Sequence, residues 1–191
     1  MNGIEAGDFL RRRFPEAIVG DSVIYTITAA LPDFSARQEG AHTYMKVGSQ
    51  SPKAEEREKV KALAALLREA GLDCRWADDV TSALWQKDIL NCAFNSITAR
   101  YQTDVAGIRA DAAKTADFQA LLAEAYAVGE AVGVALPEGL VEKSCRAMRE
   151  KQAPTATSSM KRDIAARRPT ELDAFLGALL QKAEEAGVAV P

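Results

Sequence analysis

The sequence predicts a small α/β segment followed by an all-helical one. Three observations point to this. Runs of β-branched and aromatic residues fall before about residue 79. Beyond that point the apolar residues recur at helical spacing, and two of the later helices share one glycine-valine-proline ending. With 191 residues, 48% of them hydrophobic, the chain can bury one large core or two small ones.

The elements follow in order. "EAGDFLRRRF" predicts a short helix whose Arg11-Arg12-Arg13 end is a solvated helix terminus. "DSVIYTITAAL" predicts a strand closed by Leu31-Pro32-Asp33, and "AHTYMKVGS" a second. "SPKAEEREKVKALAALLREAG" predicts a helix with Ser51 as N-cap, Pro52 in the first turn and Gly71 at the stop. "DCRWA" predicts a short third strand.

From residue 80 the pattern is helical. "TSALWQKDILNCAFNSITARY" is a helix opened by Thr81 or Ser82. "DFQALLAEAYAVGEAVG" carries Phe118, Leu121, Leu122, Ala125 and Val132 at helical spacing. "PEGLVEKSCRAMRE" gives another helix. "TELDAFLGALLQKAEEAG" gives the last, with Leu172, Phe175, Leu176, Leu179 and Leu180 on one face. "EAVGVALP" and "EEAGVAVP" both predict a Schellman stop, in which the glycine takes a left-handed conformation and the valine makes the closing contact.

Composition excludes several function classes. A net charge of −3 gives no electrostatic case for a nucleic-acid or membrane-surface partner. No apolar run approaches a membrane span or a signal-peptide core. Three scattered cysteines argue against a disulfide framework or zinc site and fit a reducing cytoplasm. The single histidine, His42, reads as a packed strand residue, so no metal site is expected.

Two polar clusters need a reason. In "LWQKDILNCAFN", Lys87, Asn91 and Asn95 recur every four residues and share one narrow helix face, with Asp88 beside them. Asparagine is a poor interior helix residue, so the line is either a solvated strip or one wall of a site. In "TATSSMKRDIAARRPTELDAF", Ser158 or Ser159 can cap the short segment that follows. Thr170 can cap the final helix, with Glu171 as a first-turn carboxylate.

"LWQKDILNCAFNSITA" together with "SSMKRDIAARRPTELDAFLGALLQKAEEAGVAVP" resembles the C-terminal helical domain of ketopantoate reductase (2-dehydropantoate 2-reductase). "MNG" resembles the family's Asn-Gly turn at the end of a nucleotide-domain strand, so the likeness runs over essentially the whole chain. It departs in three places. There is no G-x-G-x-x-G turn, the helix that usually follows "GVAVP" is missing, and Asn95-Ser96 stands where Asn-Pro is common.

The resemblance implies an α/β remnant of a Rossmann-type domain over 1–79 and an all-α domain of the 6-phosphogluconate-dehydrogenase C-terminal type over 80–191. It implies that Lys87 protonates the alkoxide formed when NADPH delivers hydride to a small 2-oxo acid. It also implies that Asn91, Asn95 and Ser159 hold that substrate, that Glu171 bonds it while sharing a network with Lys87, and that Asn2 lies near the nicotinamide. Lys87 and Glu171 should then approach a common cavity. Without the glycine-rich turn, the chain alone is expected to bind NADP(H) weakly and to be nearly inactive. An uncovered sheet edge and apolar face lead us to expect self-association, for instance as a homodimer. Two other readings stay open: a non-enzymatic helical interaction module, and a paralogue acting on another 2-oxo acid.

Overall fold

The β-branched run after Gly20 does form a strand, but its partner is longer than the sequence pattern shows. The structure is a computed structural model that describes residues 3–191, apart from the side chains of 29–30 and 39–42. Asn2 lies outside the described residues, as does the side chain of His42, which falls in the second strand. The chain divides into two compact units, Glu5–Leu84 and Trp85–Pro191, the latter joined by Gly3 and Ile4.

In the first unit, α1 (Ala6–Arg13) precedes β1 (Asp21–Ala30) and β2 (Ala36–Gly48). These two strands form an antiparallel hairpin whose register shifts between Tyr25 and Ile27. Tyr25 stacks on Tyr44 with ring centroids 4.5 Å apart. β2 starts five residues before the expected strand because "ARQEG" is polar and exposed for most of its length; its pairing with β1 makes it a strand, which periodicity cannot reveal. α2 (Ala54–Glu69) then crosses over to β3 (Cys74–Trp76), which runs parallel to β2. Val47, Val60, Ala64 and Cys74 form the small core between them.

Two local expectations change here. Arg12 and Arg13 are exposed as expected of a solvated helix end, but Arg11 is engaged: its Nη1 donates to Asp21 Oδ2 at 2.9 Å, and Asp21 is buried. Ser51 stands two residues before the N-cap, Lys53, accepting from the Lys53 amide and donating to Glu56 Oε2.

The second unit is helical: most of α3 (Val80–Arg100), then α4 (Val105–Arg109), α5 (Ala112–Ala131), α6 (Leu140–Glu150), α7 (Ser159–Ala165), a π turn (Asp173–Gly177) and α8 (Ala178–Ala186). α3 opens at Asp79, whose carboxylate accepts from the Ser82 amide at 2.8 Å, so neither Thr81 nor Ser82 is the cap. Asp104 and Asp111 cap α4 and α5 in the same way. The Asp111 cap starts α5 five residues before its apolar stripe begins to show at "DFQ".

Trp85, Ile89, Cys92, Ala93 and Ile97 bury the apolar arc of α3 against Phe118, Leu122 and Val128 of α5 and Phe175 of the π turn. α5 comes close to α3 because position 129 has no side chain: a Cβ there would stand 3.0 Å from the Trp85 ring and 2.8 Å from Leu136. Both expected stops form. Gly133 and Gly187 have φ of +84° and +67°, and the amides of Val134 and Val188 reach back to Gly129 and Ala183.

The final helix departs from its expected face. Phe175 and Leu179 are buried, Leu176 is partly buried, and Leu172 and Leu180 are about half exposed. The π turn is the reason. Each of its residues advances less far around the axis than an α residue, so an apolar stripe drawn through it at α spacing slips out of phase.

Candidate active site

Lys87 sits on α3 two turns into the helix and is half-buried. Burial draws its pKa below the ordinary lysine value, because a desolvated ammonium is disfavoured; the negative charges of Asp88 and then Glu171 oppose that shift. Glu171 lies 84 positions downstream, exposed at the entry to the π turn, yet close enough to act on Lys87 electrostatically. The charge of Glu171 thus reaches Lys87 across 84 positions of chain.

Asn95 is held differently from the expectation. It is buried, its Nδ2 donates to the Asn91 carbonyl at 2.9 Å, and its Oδ1 accepts from the Met160 amide at 3.3 Å. Its amide thus braces α3 against the first turn of α7. Beside that brace, Thr98 Oγ1 and Ser158 Oγ share a buried 2.6 Å hydrogen bond, and Ser158 caps α7 by accepting from the Lys161 amide. Ser159 is the exposed first residue of α7, and Asn91 is half-buried one turn along from Lys87.

Asp88 has no role in the sequence reading beyond its position. It is 2% exposed, its Oδ2 accepts weakly from Cys92 Sγ at 3.7 Å, and its Oδ1 is buried without a partner. Burial pushes its pKa up to about 7, against smaller opposing effects from Cys92 and Lys87. The signal available in the sequence was an acid one helical turn from Cys92, at the margin of the apolar arc.

The N-terminal turn also belongs to this unit. Gly3 has φ +87°, and a Cβ there would stand 2.8 Å from the Ala174 carbonyl of the π turn. Gly3→Ala is expected to destabilise the helical unit by about 1 to 3 kcal/mol, because it adds steric overlap to backbone strain. Gly71→Ala, at φ +92° with open space around it, should cost less. Thermal unfolding of the two variants checks the order.

An open hollow of about 520 Å³ on the same unit is lined by Arg109, Thr115, Gln119 and Arg149 among others, and by none of the candidate residues. Arg109 is already engaged there with the carbonyls of Met148 and Gln152. Among the described residues no cluster of histidine, cysteine and acidic groups could hold a metal, and no helix is long and apolar enough to cross a membrane.

The chain is similar to proteins already known. Residues 79–191 match the family described as ketopantoate reductase PanE/ApbA C terminal. A 2-dehydropantoate 2-reductase of Mesorhizobium japonicum is 30% identical over 180 residues, which is 94% of this chain and 53% of that protein. The crystal structure of 2-dehydropantoate 2-reductase from Methylococcus capsulatus superposes with a TM-score of 0.84 at 28% identity, covering 100% of this chain and 59% of that one. A ternary structure of D-mandelate dehydrogenase with NADH and anilino(oxo)acetate shares the fold, with a TM-score of 0.84 at 20% identity over 100% of this chain and 61% of that one. The chain spans about half the length of the curated relative it matches. With its central lysine helix and terminal Thr-Glu-Leu-Asp segment in one helical unit, the chain belongs to the ketopantoate reductase family, whose C-terminal region it contains.

Proposed function

We propose that this chain is the substrate-binding and proton-donating part of an NADPH-dependent reductase that converts 2-dehydropantoate to pantoate, in pantothenate and coenzyme A biosynthesis. The observation that carries the reading is the half-buried Lys87 on the polar face of α3, within electrostatic reach of Glu171 from 84 positions downstream. A lysine ammonium whose pKa is drawn down by burial suits both stages of the work. It stabilises the alkoxide developing at the 2-oxo carbon and then protonates it. Glu171 accepts a hydrogen bond from a substrate hydroxyl, while Asn91, Asn95 and Ser159 supply neutral bonds around it. In this reading residues 1–79 are the C-terminal part of a dinucleotide-binding domain and 80–191 the catalytic domain, in a cytoplasmic enzyme that assembles as a homodimer.

The chain's own residues do not fit a dinucleotide. No G-x-G-x-x-G turn is present, and both helices of the first unit open with acids: Glu5 and Asp8 at α1, Glu55 and Glu56 at α2. Carboxylates there repel a pyrophosphate at the helix ends where one would bind.

A second reading, reduction of a different 2-oxo acid, is favoured by Asn95, whose amide is already bonded to two backbone groups and leaves fewer bonds for a hydroxylated substrate. One titration tests both. Adding 2-dehydropantoate to the isotope-labelled chain should shift the resonances of Lys87, Asn91, Ser159 and Glu171. A response confined to the Arg109–Arg149 hollow would overturn the site. Equal or stronger shifts with 3-methyl-2-oxobutanoate, which lacks the hydroxyl, would favour the second reading.

A further inference from the structure

We propose that Asp88 is a positioning residue that tunes the proton donor: its buried carboxyl, next to Lys87 on α3, governs how readily the Lys87 ammonium gives up its proton. The inference rests on the reading of Lys87 as that donor. Three observations carry it. Asp88 is 2% exposed and leaves one oxygen buried without a partner, an arrangement that an apolar residue would avoid. Its other oxygen is held only by Cys92 Sγ, one turn along the same helix, and Cys92 is itself buried with its thiol pushed up, so it stays a donor. Of the two acids that act on Lys87, Asp88 acts the more strongly.

The direction of control follows from the charges. Below neutral pH the Asp88 carboxyl holds its proton, so its charge no longer opposes burial, which favours proton release from Lys87. As pH rises through about 7 the carboxyl ionises, and a negative charge now stands beside the ammonium and holds its proton more firmly. The two groups titrate as a pair. Cys92 acts on Asp88 from the same helix, and Glu171 acts on Lys87 from the entry to the π turn.

The test reads the Lys87 proton directly, in the free chain. Lysine labelled with 13C at Cε is followed by NMR against pH, with the Lys87 signal assigned by its loss in Lys87→Arg. In the unmodified chain Lys87 should titrate in two steps, the smaller near pH 7. Asp88→Asn should abolish the smaller step and move the main one to lower pH. Cys92→Ala should keep the smaller step and move it upward, because the carboxylate loses its hydrogen-bond donor. Glu171→Gln should move the main step down and leave the smaller one in place. A single Lys87 step that neither Asp88→Asn nor Cys92→Ala changes would overturn the proposal. Cys92→Ala alone decides it should Asp88→Asn fail to fold. No turnover is involved, so failure here leaves the catalytic reading of Lys87 to be judged by the rate of its alanine variant.

Discussion

Replacing Lys87 by alanine, in a protein that also supplies a dinucleotide-binding half, is expected to lower kcat by about 10² to 10⁴, the usual reach of one general acid. The split between constants carries the meaning. A proton donor acts on a charge that develops only in the transition state, so kcat and kcat/KM should fall together while KM changes little. A lysine that merely holds the carboxylate of the substrate would raise KM and leave kcat nearly intact. The pH profile gives a second readout. The ammonium is the active form, so the rate falls as pH rises through the Lys87 pKa. Burial places that fall below the ordinary lysine range. Steady-state kinetics between pH 6 and 11 should show the alkaline fall in the parent and a flat profile in the variant.

Asp88→Asn is expected to stabilise the protein at pH 8 by about 2 to 4 kcal/mol. An unfolded aspartate titrates near 3.9, and burial pushes the folded one up to about 7. Between those values the native state binds the proton that the unfolded state has lost. Stability from this residue is therefore fully present below about pH 4 and is lost as pH rises toward 7. The difference of roughly three units corresponds to about 4 kcal/mol at one pKa unit per 1.36 kcal/mol. The buried amide of the variant keeps some of the desolvation cost, hence the lower end of the range. Urea unfolding of both proteins at pH 4 and pH 8 checks it. Their stabilities should be similar at the lower pH and separate at the higher. A constant difference at both would show that Asp88 does not change its protonation on folding.

The polar face of α3 was legible in the sequence because a four-residue repeat of Lys87, Asn91 and Asn95 stands out against an apolar helix. The buried arc of Trp85, Ile89, Cys92, Ala93 and Ile97 followed from the same geometry. The helix stops at Gly133 and Gly187 were legible for a similar reason, since a left-handed residue needs a glycine. The features that escaped are made by distant partners. Arg11 Nη1 pairs with Asp21 across a loop, the polar half of β2 is ordered by β1, and Asn95 finds its second partner 65 positions away at Met160. Asp88 escaped because one acid beside a lysine looks like any surface pair until its burial is known.

The π turn at Asp173–Gly177 lets the helix carry an extra residue with little change in the phase of its flanks. A π turn is an α-helix carrying one residue too many, so this short stretch can absorb a deletion that would disrupt a regular helix. Losing one residue there would restore α winding and leave everything upstream nearly in phase, because its five residues, each advancing less than about 100°, turn through roughly the same angle as four α residues. Glu171 sits just upstream, so its place relative to the buried Leu179 is kept through such a change. Loss of a single residue in that window is therefore expected to leave the acid in place, whereas the same loss inside a regular helix would turn it by about 100°.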